Sequence, residues 1–449
     1  MRPRRHRGAR AYPAAGLVLV GLIAALFVWG GPSASLPAPA VARPPPADLV
    51  VEQRVRGWQA MRELATNEPA QGAFLKAWHS RSEVFGPRTT DAHAHSASAG
   101  PFDMGGGQNN ASGMQSGEAE VLISAHYNEA AFHHIRDHAL QHPSTLERLR
   151  RIGPTGAPPD HQRSVPSFPV GAAVALAAWW PVAMDGLTPM PVWDPATNPA
   201  HPQGNGYASW RRIVAVDPAP KQMTWSAAPL VFLGRQFSRL DRVSLSRFRT
   251  APVDALSAAA LMRNSQARKA ALIALGRPLE GGDRLALVGL HLAVKTPAGW
   301  VWSTLWWHDH PADGAFATGR PQSIPEPWNN YLLDAVAGQD LPDASGSLRP
   351  CFNPWFEARF PDGGGGGGVD SNCAGCHRRA TYPAVTFLPI RRSSSPREAD
   401  PAFAPDRVQT DSMWAIARHG AGGAPTMSGA SSGEAAQSQN RAGIRALTP

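Results

Sequence analysis

The stretch 283-DRLALVGLHLAVKTPAGWVWSTLWWHDH-310 decides the fold. Two long apolar runs flank a short turn containing Pro297 and Gly299, which is the pattern of a β-hairpin. On a strand successive side chains alternate between faces. Trp300, Trp302, Thr304 and Trp306 therefore share one face, and Val301, Ser303, Leu305 and Trp307 the other. Both faces are largely apolar, so the hairpin belongs inside a sheet covered on both sides.

Other segments of the same character precede it. "VGAAVALAAWWPV" (170–182), "WRRIVAVD" (210–217), "KQMTWSA" (221–227) and "PLVFLG" (229–234) read as strands between turn signals, and "VDALSAAALMRNSQARKAALIAL" (253–275) reads as helix. Towards the N-terminus, Val51, Val55, Trp58, Met61 and Leu64 recur at helical spacing within 49–77. A second helix is predicted over Glu118–Gln141, stopping before Pro143. The fold class is α+β, with N-terminal helices and a β-rich centre, a sandwich being the alternative form of that centre. No repeat of 20–50 residues interrupts this reading.

The chain has 449 residues, enough for more than one domain, and 43 Gly with 44 Pro imply extensive loops. It opens with "MRPRRHRGARAYPAAGLVLVGLIAALFVWGG": five arginines, then an apolar stretch from Ala14 to Gly31. That order describes an export signal or an uncleaved membrane anchor, with Ala38-Pro39-Ala40 as a cleavage site. Either way the remainder faces outward, inner-membrane-anchored towards the periplasm or released into it. The divisions read from composition are 1–31 signal or anchor, 32–49 a Pro/Ala-rich linker, and 50–164 a helical segment with a flexible insertion at 84–118. A β-rich domain over 165–350, a C-terminal segment over 351–419 and a disordered tail over 420–449 follow.

The five N-terminal arginines supply over half of the formal +9 charge, and residues 378–449, with nine Arg, no Lys and five acidic residues, supply most of the rest. The body is thus close to neutral. No basic stripe interleaved with aromatics exists, so a nucleic-acid partner is not expected.

The C-terminal segment carries 371-SNCAGCHRRA-380, in which two residues separate Cys373 from Cys376 and His377 follows directly. Three chemistries use such a set. A c-type haem takes both thiols as thioether anchors on one helical turn and the adjacent His as axial ligand to iron. A thiol–disulfide redox pair opens a helix after a strand. A zinc site needs two further Cys or His ligands. Export favours the haem, because c-type haem is attached outside the cytoplasm. One haem c is expected, held by Cys373 and Cys376, with His377 as proximal ligand and metal-binding residue.

For the second axial position Met413, in "TDSMWAIARHG", and His308, in "WWHDHP", are the candidates. Each has a plain structural reading beside it: Met413 as core packing next to Trp414, His308 as a strand-end hydrogen bond. Few large apolar residues follow His377, so the haem would lean on the Trp-rich hairpin and on "NPWFEARF" (353–360). Arg378, Arg379, Arg391 and Arg392 are candidates for pairing with its propionates. Cys351 is left over, as a buried thiol or an intermolecular disulfide. His134, His138 and His142 stand at i, i+4, i+8 on one helix face, a spacing that suits a metal or a solvated face. His93-Ala94-His95, with Met104 and Met114, falls in the insertion and suits copper or nothing.

The stretches "STLWWHDHPADGAFATGRP" (303–321), "PWNNYLLD" (327–334), "CFNPWFEARFP" (351–361) and "SNCAGCHRRA" (371–380) resemble those of exported bacterial proteins with a single CxxCH motif, described as cytochrome-c-like. The likeness spans about 165–417, and the chain departs from the family pattern by its glycine run Gly363–Gly368 and by its 84–118 insertion. It implies haem attachment at Cys373, Cys376 and His377. The reading is therefore a membrane-associated, periplasm-facing monohaem c-type cytochrome that passes electrons to a redox partner protein, an electron carrier rather than a catalyst as the first expectation, with enzymatic activity left open. The alternatives are a haem enzyme or a gas- or peroxide-binding sensor with an open distal side, His308 and Asp309 assisting, and a non-haem CxxC thiol–disulfide oxidoreductase.

Overall fold

In a computed structural model, residues 47–66, 77–86, 121–151, 163–194, 198, 206–219, 225–226, 228–337, 348–357, 371–384 and 401–419 are described. They belong to one unit, which begins at Val41. The class is α+β.

Its centre is an antiparallel sheet whose strands run in the order His79–Ser80, Leu122–Tyr127, Ala173–Val182, Arg284–Thr296, Gly299–Trp307 and Tyr331–Ala337. A seventh strand, Thr250–Pro252, pairs with the start of Arg284–Thr296. The hairpin read from the sequence occupies the middle and closes over Pro297-Ala298, with Thr296 opposite Gly299. Gly299 takes φ +114°, a value that suits a residue without Cβ.

Both faces are covered. On one, helix Ala47–Thr66 comes so close that a Cβ at Gly57 would lie 2.7 Å from Ala335 Cβ and 3.0 Å from Ser303 Oγ. On the other, the Trp300/Trp302 face receives the C-terminal segment. A bulge at Val288 shifts register between Leu287 and Gly289. Gly289 then admits the short helix Pro354–Glu357, where a Cβ would meet Trp355 Cβ and Asn353 Oδ1 at 3.0 Å. Part of this cover is a second, smaller sheet: Trp180 Nε1 of the main sheet donates to Pro189 O in strand Thr188–Val192 at 3.1 Å, and Trp193 packs edge-on against Trp306 with centroids 5.7 Å apart. Small sheets flank the main one: Thr188–Val192 with Arg212–Asp217 and Arg242–Ser244, and Thr381–Tyr382 with Val408–Gln409 and Arg163–Ser164.

Asp334 on the edge strand binds both covering layers. Its carboxylate accepts from Arg54 of the N-terminal helix at 3.0 Å and from Arg349, just before Cys351, also at 3.0 Å. All three side chains are over nine-tenths buried. The N-terminal helix thus reads out as part of the main core and not as a segment apart.

Several expectations need correction. Glu118–Gln141 is not one helix: Leu122–Tyr127 is a strand, and a helix starts only at Glu129, capped by Asn128, whose Oδ1 accepts from Ala131 N and Ala173 N. The 253–275 segment is two helices, Ala255–Arg263 and Ser265–Leu275, because Asn264 leaves helical geometry and caps the second. Val84 and Phe85 lie buried in helix Arg81–Phe85, which Gly86 ends, and so belong to the core; 87–118 of the proposed insertion lie outside the described residues. The membrane expectation is overturned for the described residues, among which no helix is long and apolar enough to cross a membrane. The 14–31 stretch on which it rested lies outside them, as do the linker to position 46 and the 420–449 tail.

Candidate functional site

The motif forms a single helical turn, Cys373–His377. Asn372 organises it. Its Oδ1 accepts from Gly375 N at 2.8 Å, capping the turn, while its Nδ2 donates to Arg349 O at 2.8 Å. The approach is fixed by a parallel bridge in which Cys351 N donates to Ser371 O at 2.9 Å and Cys373 N to Cys351 O at 3.0 Å.

The His377 ring lies against Trp302 of the hairpin, with centroids 3.8 Å apart and planes 29° apart. Its Nδ1–H donates to Ser412 O at 2.9 Å. That hydrogen bond sets the tautomer and leaves Nε2 as the ring nitrogen with a lone pair. Burial pushes His377 down to about 3, outweighing the Ser412 bond that favours the charged form. The ring is neutral at physiological pH, as a metal ligand must be.

The carbonyl that holds the ring is itself held. Asp411 and Ser412 both have positive φ, 46° and 70°. Asp411 accepts from Lys295 Nζ at 2.9 and 3.0 Å and from Phe168 N at 2.8 Å. Thr410 Oγ1 donates to Ala380 O at 2.7 Å. The loop 410–413 is thereby tied to the hairpin and to the chain just after the motif. Beside the motif, His291 of the hairpin stacks on Phe356 and meets Glu357 Oε1 at 2.8 Å.

The two thiols face different surroundings. Cys373 Sγ stands 3.6 Å from Cys351 Sγ and donates to Cys351 O at 3.1 Å. That thiol contact and burial both raise its pKa. Cys376 is pushed up to about 12 by burial, with Glu357 adding to the effect, and hydrogen-bonds towards Trp414. Both stay protonated at neutral pH. A disulfide oxidoreductase needs the opposite, an exposed thiolate of depressed pKa.

The structure brings together Cys373, Cys376 and His377, and adds Trp302, Ser412, Asp411 and Cys351. Met413 is close by but buried in the core with Cys351, Cys373, Tyr382 and Ile416. His308 is elsewhere. It follows Trp302 by six residues, about 20 Å along a strand. There it accepts from His310 N at 2.9 Å beside Asp309, which pairs with Arg212. Met413 thus shares the buried surroundings of Cys373, whereas His308 is engaged by His310 N at the far end of its strand.

His134 Nε2–H donates to Pro166 O at 3.0 Å and the ring packs on Phe168 and His138, a core role. Among the described residues no group of three or more His, Cys, Asp or Glu is arranged to hold a metal ion, which overturns the metal-cluster reading. His93, His95, Met104, Met114, Arg391 and Arg392 lie outside the described residues. The donor set nevertheless fits a c-type haem, whose porphyrin supplies four ligands: a helical turn carries both thiols, and a neutral imidazole is tethered through Nδ1. Cys373 must turn its sulfur from Cys351 to serve. Sequence reasoning missed Ser412 and the Cys351 contact, and no motif in "TDSM" or "CFNP" signals either.

No protein-family model matches the chain, and no curated protein or solved structure matches it.

Proposed function

We propose that this chain is an exported, periplasm-facing, monohaem c-type cytochrome-like protein that passes single electrons to a partner protein. Cys373 and Cys376 would anchor the haem, and His377 Nε2 would be its axial donor. When bound, the haem supplies a one-electron iron centre. The observation that carries the reading is His377 itself: a neutral ring on the same turn as two thiols, with Nδ1 fixed by a backbone carbonyl.

The chain's own residues do the rest. The Ser412 bond orients the imidazole and makes Nε2 the stronger donor. Trp302 restrains the ring from rotating. The arginine-rich sequence after the motif would draw in an acidic partner, an attraction that fades as salt rises.

A second reading is a ligand-binding haem with an open distal side; its support is that His308 is engaged by His310 N, away from the motif. A spectrum separates the two. Low-spin iron indifferent to CO fits electron transfer, and high-spin iron that binds CO fits the second.

The deciding experiment is a pyridine haemochrome assay on the full chain produced with the c-type maturation machinery. One haem per chain, resistant to acid–acetone extraction, is expected. His377→Ala should lose native ligation and most of the attached haem. Colourless wild-type protein from a competent host would end the haem reading.

A further inference from the structure

We infer that Cys351 and Cys373 form a disulfide in the chain that carries no haem, so that Cys373 has two mutually exclusive covalent fates. The sequence offers Cys373 and Cys376 as the obvious pair. The structure instead sets Cys373 Sγ 3.6 Å from Cys351 Sγ, across a backbone bridge that brackets Cys351 between Ser371 and Cys373. Bonding needs the sulfurs to close to about 2.05 Å, between two chain segments that a backbone bridge already holds together. Cys376 is turned away, towards Trp414. Cys351 is fully buried and Cys373 nearly so, so a bond once formed is shielded from exchange.

The oxidation breaks two S–H bonds and makes one S–S bond. A small or protein disulfide such as oxidised glutathione takes up the two electrons and two protons and leaves as two thiols. The reaction passes through a mixed disulfide on whichever cysteine is exposed first. The further consequence, that this bond must be reduced before haem can join Cys373, rests on the function proposed above.

The full chain, produced without the maturation machinery, is reduced, refolded in a glutathione redox buffer, alkylated and mapped without reduction. A Cys351–Cys373 cross-linked peptide is expected, with Cys376 alkylated and the intact chain two hydrogen atoms lighter than its reduced form. Cys376→Ser should keep the cross-link. A Cys373–Cys376 link, or three alkylated thiols in folded protein, would overturn the pairing. In a haem-competent host Cys351→Ser should gain haem per chain over wild type. An unchanged yield would overturn the competition. Absence of haem from both proteins would count against the haem reading alone, since the peptide map decides the pairing by itself.

Discussion

At the scale of single residues, the position of His377 depends on two residues that never touch a ligand. Ser412 supplies the carbonyl, and Asp411 fixes Ser412 by accepting from Lys295 and Phe168 N. Asp411→Ala removes a charge-assisted acceptor and leaves a half-buried ammonium. It is expected to cost about 1.5–3 kcal/mol, read as a lower urea midpoint, and to broaden the Nδ1–H resonance of His377. Ser412 sits at φ 70°, where β-branched side chains are strained. Ser412→Gly should stay within about 1 kcal/mol of wild type, while Ser412→Val should lose about 1–3 kcal/mol; equal losses in the two would argue against a left-handed Ser412. The motif residues were readable because spacing on one turn is a local property. The Ser412 carbonyl was not, because a backbone acceptor has no residue-type signature and its partner lies 35 positions away.

At the scale of elements, two close fits hold the layers on the sheet. Gly57→Ala would gain up to about 1 kcal/mol of helix propensity. It also drives a methyl to 2.7 Å from the rigid Ala335 Cβ. Overpacking costs about 1–3 kcal/mol, so a net loss is expected in thermal denaturation; a stabilised variant would mean the helix stands further off. Asp334→Ala strands Arg54 and Arg349 in the core, and a broken buried pair costs about 3–5 kcal/mol. The same measurement should show the largest loss of this set. The hairpin was legible because its alternation runs for two long strands. Leu122–Tyr127 was not, since six alternating residues merge into the helix begun by Asn128, and only pairing with Ala173–Val182 decides the matter.

At the scale of the molecule, acid should unfold the protein early. Burial holds His134, His308, His377 and His419 below the ordinary histidine value. Below pH of about 6.5 the unfolded chain therefore binds protons that the folded chain refuses, and stability falls as pH drops, by at most about 1.4 kcal/mol per pH unit per histidine. Urea midpoints should be lower at pH 5 than at pH 7, and His308→Asn should narrow the gap; equal midpoints would contradict these buried neutral rings. The sheet's order of strands has a consequence in time. Every strand of it lies before position 338, whereas the motif comes later in the chain. A polypeptide emerging from its N-terminus can complete the platform while 371–380 still trails behind, and domains do assemble in that direction. Once the segment settles against Trp302, the first sulfur is sealed in. Any enzyme that modifies it works to a deadline set by the arrival of the last few dozen residues.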